Sequence, residues 1–212
     1  VAKKGAFLGK GDSLITLKRA ENVKLSGYGA TLRMHRADYA APPYAKAEWR
    51  MSINLLSCSN VVVEGLTLLE GKNGPCQDIV LRDLVCDRQY RQGISVISAR
   101  NLLIERCVLR NTGGTPPAAG IDFEPNQPHE ELQNIVVRNC RFENNCMGHQ
   151  LDCPWNMGAD LVTCLGLPPN VRISDADKSH VSRILVEGCT FRDSLSYAAA
   201  FNFGRDIVFR RN

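Results

Sequence analysis

The sequence predicts an all-β fold built as a solenoid of stacked parallel strands. Three observations lead there: one short segment recurs seven times, apolar residues alternate within each copy, and most copies follow one another at similar intervals. The first copies are Asn22-Val23-Lys24-Leu25-Ser26-Gly27 and Asn60-Val61-Val62-Val63-Glu64-Gly65-Leu66-Thr67-Leu68. Asp78 to Cys86 (DIVLRDLVC), Asn101 to Leu109 (NLLIERCVL) and Asn134 to Phe142 (NIVVRNCRF) follow. Arg183 to Phe191 (RILVEGCTF) and the shorter Asp206-Ile207-Val208-Phe209-Arg210 complete the series.

Each copy opens with alternating apolar residues, which is a strand with one inward face. A bend residue such as Gly65, Asp83, Asn139 or Gly188 comes next, and alternation resumes with Leu or Cys, giving a second short strand after a corner. The anchors at 60, 78, 101, 134, 183 and 206 lie 18, 23, 33, 49 and 23 residues apart. A basic turn of this size, enlarged by insertions, fits about seven coils of three short strands, stacked about 4.8 Å apart. Stacking then places Leu66, Leu84, Cys107, Cys140 and Cys189 in one apolar column, where a free Cys behaves as a small hydrophobe. The repeat therefore accounts for three of the nine cysteines, and no Cys-x-x-Cys pair argues for zinc or redox chemistry. Asn22, Asn60, Asn101 and Asn134 stand at strand starts and are expected to be turn or ladder residues. No window sustains a helical period, and the leucine-rich consensus is absent.

This pattern resembles the pectin lyase-like right-handed parallel β-helix over residues 20 to 212. The resemblance implies a carbohydrate-active protein, its members including polysaccharide lyases, glycoside hydrolases and uronan epimerases. It also directs attention to the third strand of each coil. Ile53-Asn54-Leu55 and Ile94-Ser95-Val96 each start seven residues before an anchor Asn, so they are expected to share a register. Gly120-Ile121-Asp122-Phe123-Glu124, Gly148-His149-Gln150-Leu151-Asp152 and Ala200-Phe201-Asn202-Phe203-Gly204 extend the row by pattern. With apolar residues inward, the outer columns are Asn54, Ser95, Asp122, Gln150, Asn202 and Leu56, Ile97, Glu124, Asp152, Gly204.

Asp122, Glu124 and Asp152 are accordingly the candidate catalytic residues. Alternate positions on one strand lie about 6.5 to 7 Å apart and adjacent strands about 4.8 Å apart, so three carboxylates would converge. Such a cluster suits a general acid and base pair, for either retaining or inverting glycoside hydrolysis, or a calcium site. Arg50 and Arg91 each precede an inward Ile by three residues and would form a basic column beside it. His149, Gln150, Asn202 and Trp155 complete the expected substrate contacts, with Trp49 and Tyr90 as further aromatic platforms. Gly120-Ile121-Asp122 also resembles the start of the Gly-Ile-Asp-Pro-His-Asp motif of mannuronan epimerases, whose Asp is catalytic. Phe123-Glu124-Pro125 follows here, so only Asp122 carries over.

With 212 residues, 44% of them hydrophobic, the chain can bury a core as one domain spanning 1–212, with 154–180 as a loop insertion. The solenoid is expected to be truncated at one or both ends, because no polar capping element is evident. The formal charge of +4 comes from scattered Lys and Arg, which argues against a nucleic-acid binder, and no apolar run is long enough to span a membrane. The expected protein is secreted, periplasmic or displayed at the surface, and takes a polysaccharide or oligosaccharide as partner. It requires no cofactor, with Ca²⁺ as the one candidate. Three readings stay open: a glycoside hydrolase; a calcium-dependent lyase or epimerase; and a non-catalytic glycan-binding or structural scaffold.

Overall fold

A computed structural model describes residues 3, 5–34, 39, 41–45, 50–69, 76–115, 117–127, 129–146, 159–163, 180–194, 197–201 and 203–212. Within them the chain is all-β, and every strand pairing is parallel. No helix among these residues is long and apolar enough to cross a membrane.

The repeated segments form the longest row of strands, numbered in chain order as β2 (Glu21–Arg33), β4 (Cys58–Leu69), β5 (Cys76–Arg82), β8 (Ala99–Glu105), β11 (Leu132–Arg138), β14 (Val181–Glu187) and β17 (Arg205–Arg210). Beyond the corner a second row holds β6 (Val85–Asp87), β9 (Val108–Arg110), β12 (Arg141–Glu143) and β15 (Thr190–Arg192). The two rows are one eleven-stranded sheet, because β4 passes unbroken through its corner and pairs with β5 on one side of it and β6 on the other. The expected three separate short strands therefore do not hold in β2 and β4. A four-stranded sheet contains β7 (Gln92–Val96), β10 (Ala119–Phe123), β13 (Ala159–Thr163) and β16 (Tyr197–Phe201). A two-stranded sheet pairs β1 (Ser13–Lys18) with β3 (Met51–Leu56).

The anchor residues explain how the chain turns into each repeat. Asn22, Asn60, Asp78, Asn101, Asn134, Arg183 and Asp206 all have φ between 51° and 58°, the left-handed region that Asn and Asp tolerate best. Their side chains also link successive strands. Asn60 Nδ2 donates to Asn22 Oδ1 (2.6 Å), Asn101 Nδ2 to Asp78 Oδ1 (2.7 Å) and Asn134 Nδ2 to Asn101 Oδ1 (2.9 Å). These Asn residues are thus ladder residues, as expected.

Inside, register converts the sequence repeat into columns. Val23, Val61, Ile79, Leu102, Ile135, Ile184 and Ile207 are successive partners. The expected column of Leu66, Leu84, Cys107, Cys140 and Cys189 is buried, at 1 to 4% exposure. A Cys suits this corner because its weak S–H donor can reach a carbonyl of the preceding strand. Cys107 Sγ contacts the carbonyls of Glu105 (3.3 Å) and Leu81 (3.7 Å), and Cys140 Sγ those of Arg138 (3.4 Å) and Ile104 (3.7 Å). Burial pushes the Cys86 thiol up to about 12, so it stays protonated. Phe142 and Phe191 stack in the next column, with ring centroids 4.7 Å apart and planes 7° from parallel.

Outside, the sequence reading missed a row of alternating charge. Glu64, Arg82, Glu105, Arg138, Glu187 and Arg210 are successive register partners. Arg82 Nη2 lies 2.7 Å from Glu64, Arg138 Nη2 2.8 Å from Glu105 and Arg210 Nη2 2.9 Å from Glu187. Opposite charges directly across adjacent strands stabilise this register, and a slip of one residue toward the strand start would set each charge opposite an apolar residue. Hydrogen bonds from Lys24 and Arg82, with a further one from Ser26, hold the Glu64 carboxyl down to about 2 from its usual 4.5. A depressed folded-state value stabilises the fold above the unfolded value, and the contribution disappears as pH falls through the folded one. Thermal melts between pH 5 and pH 2 should therefore show an acid-induced drop concentrated between about 4.5 and 2. Glu64→Gln should flatten that part of the profile, and an unchanged slope would show that Glu64 does not contribute.

Candidate functional site

The candidate site lies on β7 and β10, where the register pairs Ile94 with Ile121, Ser95 with Asp122 and Val96 with Phe123. Ile121 and Phe123 join the hydrophobic core. Strand alternation directs Asp122 and Glu124 to the other side of the sheet. They are nevertheless buried, Asp122 fully and Glu124 at 5% exposure. Gly93 lets the two strands come close, since a Cβ there would sit 2.6 Å from the Gly120 carbonyl oxygen.

The carboxylates have different surroundings. Gln92 Nε2 donates to Asp122 Oδ2 at 2.8 Å, a neutral amide donor. Arg91 grips Glu124 with both terminal nitrogens, Nη2 to Oε1 at 2.9 Å and Nη1 to Oε2 at 3.3 Å. Such a fork both neutralises and orients a carboxylate, and it matters more here because Glu124 is withdrawn from water. Ser95, the register partner of Asp122, is 1% exposed, and its Oγ has no hydrogen-bond partner among the described residues. A buried hydroxyl without a partner is costly, which marks the position beside Asp122 as one suited to a polar group.

The turn after Glu124 is held from outside. Glu124 N donates to the Val96 carbonyl (2.9 Å), carrying the ladder one residue past β10. Glu130 Oε2 accepts from the backbone N–H of Gln127 (2.9 Å), and Asn126 Nδ2 donates to the Glu124 carbonyl (2.9 Å). Glu130 thus acts as a turn clamp. Tyr90, next to Arg91, remains 40% exposed.

The expected arrangement is corrected at several points. On the side of β10 away from β7 the ladder partner is β13, whose register places Val162 next to Asp122, the place that the sequence reading gave to Gln150. The expected insertion 154–180 accordingly contains a ladder strand. In β16 the residue of the same row as Asp122 is Ala200. β3 pairs with β1 in a separate sheet, where Asn54 meets Thr16, so Asn54 and Ser95 are not neighbours. Asp152, His149, Gln150, Trp155, Asn202 and Trp49 lie outside the described residues.

Arg50 does not stand beside Arg91. It is 6% exposed, and its guanidinium donates to the carbonyls of Phe7 (2.8 Å), Leu8 (3.3 Å) and Ala45 (2.5 Å). Its Cζ also lies 4.8 Å from the centre of the Tyr39 ring. Arg50 is therefore a clamp on the first residues of the chain. Gln92 is the site residue that the sequence reading did not name, whereas Ser95, which it placed in the column of Asp122, is indeed the register partner of Asp122.

Comparison with known proteins adds one distant relative. The uncharacterised protein YclG of Bacillus subtilis (strain 168) is 26% identical over 159 residues, which cover 64% of this chain and 27% of that protein. The chain therefore spans about a quarter of the length of the curated relative it matches. No family model matches the sequence, and no solved structure matches it.

Proposed function

We propose that the chain is part of a right-handed parallel β-helix, about seven coils long with three strand positions per coil, and that it hydrolyses glycosidic bonds in a polysaccharide. The parallel registers, the repeated left-handed anchors and the inward columns support the coil reading. The carbohydrate assignment rests on resemblance of fold pattern, and the chemistry on the site.

The observation that carries the reaction is the contrast between two carboxylates at alternate positions, Asp122 in β10 and Glu124 one residue past its end. Asp122 is fully buried beside a neutral amide, and Glu124 is gripped by a guanidinium. Glycoside hydrolysis needs two carboxyl groups in unlike states, one delivering a proton to the leaving oxygen and one activating water or attacking the anomeric carbon. In this proposal Asp122 moves the proton, while Glu124, oriented by Arg91, is the fixed carboxylate. Ser95 Oγ takes a hydrogen bond from a sugar hydroxyl or donates one to it. Asp152, Trp155, His149, Gln150 and Asn202 remain candidates for the rest of the cleft.

Product analysis on a panel of neutral and uronic polysaccharides, with and without calcium, tests the assignment. New reducing ends without unsaturated, ultraviolet-absorbing products are expected, and chelator should leave their yield unchanged. Calcium-dependent unsaturated products would replace hydrolysis by β-elimination, with Arg91 or a neighbouring base taking the proton. Glycan binding without any product would leave a binding scaffold.

A further inference from the structure

We propose that Cys58 and Cys76 are a disulfide site, closed by exchange with a small-molecule disulfide, that staples β4 to β5 where both strands begin. The two residues are the first of their strands and are direct register partners. Neighbouring parallel strands lie about 4.8 Å apart, inside the span of about 4.4 to 6.8 Å that a disulfide bridges between Cα atoms. Both side chains belong to one inward column, which Ala99, Leu132 and Val181 continue. Cys58 lies in the core at 2% exposure, and Cys76 packs against that core while only partly buried. The two thiols therefore leave adjacent strands in the same direction. The Cys76 thiol lies within reach of both the thiol and the backbone N–H of Cys58.

Burial alone would explain a Cys at either position, as it does for Cys107, Cys140 and Cys189. Those three are held in the corner column at 1 to 3% exposure, where reagents do not reach them. Cys76 differs in being partly open to solvent and in starting its strand, where the backbone has more freedom to settle into disulfide geometry. Both thiols are free in the structure. Cys58 Sγ rests 3.4 Å from the carbonyls of Leu17 and Leu56, weak contacts that a covalent bond replaces. Closure takes one proton and one electron from each thiol. The two electrons cleave the small-molecule disulfide, whose sulfurs leave as two thiols carrying the two protons. Burial pushes the Cys76 thiol up to about 11, so exchange on the folded chain is slow at neutral pH and faster under alkaline conditions. Eighteen positions separate the two cysteines in sequence, and closing that loop removes conformational freedom from the unfolded chain.

The test places the reduced chain in a mildly alkaline mixture of reduced and oxidised glutathione, once folded and once during refolding from urea. After alkylation of the remaining thiols and proteolysis, mass spectrometry should find a peptide linking Cys58 to Cys76. The melting temperature should rise by about 5 to 10 °C on closure and fall back on reduction. Cys76→Ser should yield no such peptide and should melt like the reduced wild type in both buffers. Cys76→Ala, which keeps a small apolar side chain in the column, gives the same reading should Ser disturb the core. No linked peptide after either treatment overturns the proposal. So does Cys58 linked to a different cysteine, or a Cys58–Cys76 link that leaves the melting temperature unchanged.

Discussion

Asp122→Asn is expected to reduce hydrolysis by about 10² to 10⁴-fold while leaving the fold and its melting temperature nearly unchanged. The substitution keeps shape and retains an oxygen that can accept from Gln92, whose Nε2 lies 2.8 Å from the native carboxylate. What it removes is the capacity to give and take a proton. Kinetics on the substrate identified by product analysis, with circular dichroism melts in parallel, provide the check. A variant with full turnover would sink the proposed role of Asp122 and, with it, the hydrolase reading. A variant that melts far below wild type would instead assign Asp122 to the structure.

The largest stability effect is expected at Phe142→Ala, a loss of about 3 to 5 kcal/mol. Phe142 is fully buried, stacked on Phe191, and its register neighbours are Leu109 and Phe191. Removing the ring leaves a cavity between strands whose spacing is set by backbone hydrogen bonds, so neighbouring side chains have little freedom to close it. Folded domains are typically stable by only about 5 to 15 kcal/mol, so one such change uses much of the margin. Urea denaturation should show a lower midpoint with a similar slope. A loss under about 1 kcal/mol would mean that the column repacks around the gap.

The row of strands was legible in the sequence because every repeat carries two independent marks. Inward residues such as Val61, Ile79, Leu102 and Ile135 recur at fixed distance from an anchor, and the anchor is a residue that accepts a left-handed backbone. The Leu and Cys column follows from the same count. The ion-pair row from Glu64 to Arg210 was equally present in the letters, yet it becomes meaningful only when strands are aligned. The neighbour of Asp122 was not legible. Gly148 to Asp152 and Ala159 to Thr163 both contain alternation suited to a short strand, and pattern alone does not rank them. Hydrogen bonding to β10 selects the second, setting Leu161 beside Ile121 and Val162 beside Asp122.

The sequence by itself determined the all-β class, the anchors, the inward columns and the pairing of Asp122 and Glu124 at alternate positions, because these depend on spacing within a short stretch of chain. Only the tertiary structure decided that Arg91 engages Glu124 while Arg50 binds backbone carbonyls elsewhere, and that Gln92 attends Asp122. The two arginines stand at the same distance from their inward isoleucines, so local pattern treats them alike. They part company because burial and partner depend on which segments the intervening loops bring alongside, and charged groups withdrawn from water are governed by those neighbours.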